Sequence, residues 1–212
     1  MLKLFVFLAV SLQTRALFDP STCGSGKTCL MIPANCTTNC QQGLSYKRVS
    51  ASYLEIELFS NNLPNTATYD SYMAIGFQPE ACAEIESDSK TPCMASAPVI
   101  ECSALNGQLM APAVSWNTAD PQNVRIDNAA ELAKAVGLTM SALESNNGQT
   151  YCKLMQRITG APLNGVANAD KVFQNDPTVS YGILMATGAT NGSVLTHHPH
   201  PNAMVAPGRV KF

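Results

Sequence analysis

From residue 50 onward the sequence predicts an antiparallel β-sandwich or barrel, and three observations carry that reading. Short runs such as SYLEIELF (52–59) alternate apolar and polar positions, the period of a strand with one buried face. Further short candidates follow at SYMAIGF (71–77), APVIECSA (97–104), APAVSW (111–116), NVRI (123–126), QTYCKLMQRI (149–158) and YGILMATG (181–188). Between them lie Pro, Gly, Asn and Asp turns, the punctuation of an all-β domain.

One segment breaks the pattern. DNAAELAKAVGLTMSALESNNG offers Asn128 as a helix cap with Glu131 three positions on, then Leu132, Ala135 and Val136 at helical spacing. Gly137 would end that helix, and Ser141 with Glu144 could cap a second short turn. One or two short inserted helices are therefore expected.

The amino terminus, MLKLFVFLAVSLQTRALFDP, has the layout of a secretory signal. Lys3 precedes an apolar run from Leu4 to Leu12, and a cut is expected after Ala16, with Arg15 just before it. Residues 1–16 are read as that signal, 17–47 as a loop-rich cysteine segment, 48–205 as the sandwich and 206–212 as a tail. No later run approaches the ~18–20 apolar residues of a spanning helix, so no membrane span is expected. Mild acidity, with 13 Lys and Arg against 15 Asp and Glu, argues against nucleic acid as a partner. The expected location is secreted, extracellular.

Eight cysteines agree with export: Cys23, Cys29, Cys36, Cys40, Cys82, Cys93, Cys102 and Cys152. In an oxidising compartment they are read as disulfides, with the pairing open. A zinc site among the first four lacks any C-x2-C pair. The sequons Asn35-Cys36-Thr37 and Asn191-Gly192-Ser193 make Asn35 and Asn191 candidate glycosylation sites. The fragment CGSGKTC ends like a phosphate-binding loop, but Ser21 stands where the first glycine is required.

All three histidines, His197, His198 and His200, fall within VLTHHPHPN (194–202). Pro199 and Pro201 prevent a regular helix there, which removes helical i, i+4 metal geometry. No G-x-S-x-G elbow marks a nucleophile, so the chain reads as a carrier or binder more than as an enzyme.

Four pieces in order, YMAIGF (72–77), CMASAPVIEC (93–102), YCKLMQR (151–157) and YGILMATGATNGSVLTHH (181–198), resemble the DOMON domain family. The resemblance covers about residues 48–205. It implies an immunoglobulin-like β-sandwich and, in several members, haem b held by axial methionine and histidine. Met94 in CMASAPVIE and His197 in GSVLTH match those two positions, with His198 as the fallback one residue on. Met73 alternates with Ile75 and Phe77 and reads as core. The resemblance thus implies a haem-binding, electron-transfer module served by a separate redox partner or small reductant. The alternative, also found in the family, is a cofactor-free extracellular binding module for a sugar, small ligand or protein partner. Gln156, where the family often carries arginine, departs from the pattern, and so does the low aromatic content.

Overall fold

Every second residue of Tyr53–Ser60, namely Leu54, Ile56 and Leu58, is fully buried in one core, as the alternation requires. The computed structural model describes residues 18–61, 71–79, 94–106, 108–119, 122–146, 149–158, 163–176, 178–191, 194–196 and 203–212. The elements are β1 (Thr28–Ile32), β2 (Gln42–Arg48), β3 (Tyr53–Ser60), β4 (Ser71–Gln78), β5 (Pro98–Leu105), β6 (Gln108–Leu109) and β7 (Ala113–Asn117). They continue with β8 (Asn123–Arg125), helix α1 (Ala129–Ala135), β9 (Thr139–Asn146), β10 (Gln149–Arg157), β11 (Tyr181–Asn191), β12 (Val194–Leu195) and β13 (Ala203–Val210).

The strands form two antiparallel sheets, so the chain is an all-β sandwich, with one short α-helix among the described residues. The first runs β1-β2-β3-β10-β9; the second runs β12-β11-β4-β5-β7-β8, with β13 also on β11 and β6 on β5. Leu44, Leu54, Ile56, Leu58 and Leu154 of the first sheet face Met73, Ile75, Phe77, Ile100 and Ile183 of the second. The Cys102–Cys152 disulfide crosses this core and ties β5 to β10. At one end Phe77 and Phe173 stack with centroids 3.8 Å apart, and Phe212 and Tyr181 meet Phe173 edge-on.

Several elements depart from the sequence reading. The 17–47 segment contributes β1 and β2 to the first sheet, and the 206–212 tail completes β13 and buries Phe212. Of the two helical turns that the sequence offers, only the first forms an α-helix. Ser141 and Glu144 lie in β9, because pairing with β10 satisfies that backbone along its length. Asn128 stands at the N-cap of α1, as expected, but its side chain makes no capping bond. Its side chain donates to the Ala167 carbonyl at 3.0 Å and accepts from Asn168 at 3.1 Å. Leu132 anchors the helix in the core.

Cys23 pairs with Cys29 and Cys36 with Cys40, and both rings belong to the cover over the outer face of the first sheet. There Phe18, Met31 and Phe59 pack together. Gly43 makes room for them, since a Cβ at that position would collide with the Phe59 ring. Lys27, from the rejected phosphate-loop motif, is buried against Glu57 at 2.6 Å. Glu57 also accepts from Ser45 at 2.7 Å and Tyr151 at 2.6 Å. Burial pulls the Glu57 carboxyl upward, but these three donors outweigh it and leave the group below the ordinary glutamate value. Lys27→Met removes one of the three and is expected to cost about 1.5–3 kcal/mol, the range for a hydrogen bond to a charged group. Urea denaturation checks this, and an unchanged midpoint would show that the pair adds nothing to the cover.

Candidate functional site

The outer face of the second sheet is not flat. β12 lies at one end of the strand path and β8 at the other, yet β12 packs against β8. The sheet curls until its edges meet, and a cavity of about 490 Å³ lies within the curl. That size falls within the range of about 300–1,000 Å³ typical of small-molecule and cofactor sites.

Strand alternation decides what lines it. Met73, Ile75 and Phe77 of β4 point to the core, so Tyr72, Ala74 and Gly76 point to the cavity. Val99 of β5 and Leu184 and Ala186 of β11 extend this floor, which small side chains keep shallow. Asn117 and Asn123 from the β7–β8 hairpin and Gln122 before β8 form a polar wall. Leu195 and Thr196 form the opposite lip.

Met94 is on the wall of this cavity. It starts a tight turn in which the Ala97 N–H donates to the Met94 carbonyl at 3.3 Å and Ser96 adopts φ of 58°. Gln78 holds the turn against β4 by donating from Nε2 to the Ala95 carbonyl at 2.6 Å. Met185 and Met204 also border the cavity; Met185 is buried in the main core, and Met204, half-buried like Met94, packs against that core. Met73 lies in that core at 1% exposure, in agreement with its alternation.

His197, His198 and His200 lie outside the described residues, as do Cys82, Cys93 and the expected signal segment. Thr196, immediately before His197, lines the same cavity as Met94. Neither a protein-family model nor a curated protein matches this chain. The two glycosylation candidates are both exposed: Asn35 in a turn with φ of 59°, and Asn191 at the end of β11 beside the cavity.

Sequence reasoning missed the polar array beside the floor. Glu101, wholly buried on the cavity side of β5, forms an ion pair with Arg125 Nη2 at 2.5 Å. Ser115 donates to Glu101 at 3.4 Å, Arg125 to Ser103 at 3.1 Å, and Asn123 to Ser115 at 2.9 Å and Asn117 at 3.1 Å. Burial raises the Glu101 carboxyl and Arg125 only partly offsets it, so the net shift is upward. Alternation alone could have placed Glu101 opposite Ile100 and Cys102, but its burial follows from the curl of the sheet. Among the described residues no group of three or more His, Cys, Asp or Glu side chains could hold a metal ion. The chemistry on offer is a soft thioether, an apolar floor and a hydrogen-bonding wall.

Proposed function

We propose that this chain is an extracellular DOMON-type module that binds haem b for electron transfer, with Met94 and His197 as axial ligands and His198 as the fallback. The observation that carries the reading is the convergence of Met94 and Thr196, the residue before His197, on one cavity. The residues present suit a flat apolar group. Ala74, Gly76, Val99 and Ala186 give an apolar floor of small side chains, and Met94 lines the wall. Met94 and His197 would hold the group, and a haem held by methionine and imidazole would supply one-electron transfer at a raised potential. The protein would hold and orient it, and Leu195 and Leu184, which line the cavity, would help exclude water. The Cys102–Cys152 disulfide and the other two rings fit an oxidising, extracellular setting. No described helix is long and apolar enough to cross a membrane.

A second reading has its own support. Asn123 Oδ1 is buried without a hydrogen-bond partner, an acceptor that suits the donor group of a small ligand with no haem involved. Optical titration with hemin separates the two. The haem reading expects a Soret band that shifts on reduction, with Met94→Ala and His197→Ala each abolishing the six-coordinate spectrum. A protein that stays colourless through the titration ends the haem reading and leaves the cofactor-free module.

A further inference from the structure

The lips of the cavity, β12 and β8, are strand edges that meet without a ladder of hydrogen bonds between them. Thr196 fixes the β12 lip. Its N–H and its Oγ1 both donate to the Ala189 carbonyl, at 3.0 and 2.7 Å, and so tie it back to its own hairpin. Its carbonyl accepts from the Tyr72 hydroxyl at 3.1 Å, the bond that crosses to β4 in the cavity floor.

Tyr72 is built to hold that position. It is 3% exposed, and its ring lies across β11 over Gly188, where a Cβ would come within 2.8 Å of a ring carbon. The hydroxyl is a donor at physiological pH, as any phenol is, and burial and then the charge of Glu101 push its value further up.

We infer that Tyr72 is the latch of the cavity: its hydroxyl holds the β12 lip closed against β8 and fixes the backbone next to His197. One hydrogen bond thereby governs the passage of a ligand between the lips. Hemin as the ligand rests on the haem reading; the latch itself rests on Tyr72, Gly188 and Thr196.

Tyr72→Phe keeps the ring and removes the hydroxyl, and the full chain serves for both measurements. Hydrogen–deuterium exchange without ligand is expected to run roughly three- to tenfold faster at Leu195 and Thr196, with the β4 amides unchanged, as one lost hydrogen bond implies. Hemin release to an excess of a haem scavenger is expected to accelerate by a similar factor. Unchanged exchange at the lip, or equal acceleration in β4, overturns the latch whatever hemin does. Faster exchange with unaltered hemin release overturns its control of ligand passage. If the parent protein takes up no hemin, the haem reading falls, and the exchange measurement still decides the latch.

Discussion

Replacing Cys102 and Cys152 together with alanine is expected to remove about 4 kcal/mol of stability, more than the loss of Cys23–Cys29 or of Cys36–Cys40. The estimate follows from loop closure. The bond spans a sequence separation of 50, and the entropy it removes from the unfolded chain grows with the logarithm of that length. Cys23–Cys29 and Cys36–Cys40 close separations of 6 and 4, so by the same relation each contributes about 2 kcal/mol. Position sharpens the contrast. Cys102 and Cys152 are 2% and 0% exposed inside the main core, so the double alanine variant also loses packed sulfur between the sheets. Domains of this kind are stable by only about 5–15 kcal/mol, so the change should bring unfolding close to working temperature. Urea titration of both double variants tests the ranking. Equal losses for Cys102/Cys152 and Cys23/Cys29 would show that loop closure does not set the stability of this sandwich.

How much of the fold is legible in the sequence depends on how local the cause is. β3, β4, β7, β10 and β11 can be read directly, because each presents one face to the core and the alternation of Leu54, Ile56 and Leu58 or Met73, Ile75 and Phe77 records it. β1 and β2 cannot, since TCLMI and QGLSYKR are broken by cysteine, glycine and serine that serve the outer cover. Ser45 is spent on Glu57, and Gly43 on Phe59. β9 misleads for the opposite reason. MSALES has the spacing of a capped helical turn, but the β10 edge beside it offers a full ladder of partners, and tertiary pairing overrides local preference.

For the candidate site, alternation can assign Tyr72, Ala74 and Gly76 to the face opposite the core. It cannot show that the face is enclosed, because the closure of β12 on β8 joins segments far apart in sequence. Met94 enters through a resemblance in a short motif, and the cavity adds the physical setting that a motif lacks. The polar array is the least legible part. Arg125 looks like a surface cation in NVRI, and Glu101 an interruption in APVIECSA, until β5, β7 and β8 bring them together.

Arg125→Leu is expected to cost about 3–5 kcal/mol at pH 8, the range for leaving a buried charge without its partner. The comparison with Lys27 explains why it should cost more. Without Lys27, Glu57 keeps close donors in Ser45 and Tyr151; without Arg125, Glu101 keeps only the 3.4 Å contact from Ser115. The loss should also depend on pH, with a definite sign. Burial holds the Glu101 carboxyl above its ordinary value even in the parent protein, with Arg125 opposing. Between the ordinary glutamate value and the raised one, the native state binds more protons than the unfolded chain, so this group makes stability fall as pH rises. Removing Arg125 raises the native value further, which extends the falling window upward and deepens the loss in alkali. Below the ordinary glutamate value both states carry the proton, and the penalty shrinks to lost packing and the bond to Ser103. Glu57 works in the other direction, since its lowered value contributes stability that is present above the ordinary range and lost as pH falls. In the parent profile these two buried carboxylates oppose one another, and Arg125→Leu tilts it toward acid. Urea titrations from pH 4 to 8 read that tilt, and adding Glu101→Gln to Arg125→Leu should remove it and restore much of the stability. A penalty that stays constant across this range, or survives in the double variant, would mean that Arg125 acts through something other than the buried charge of Glu101.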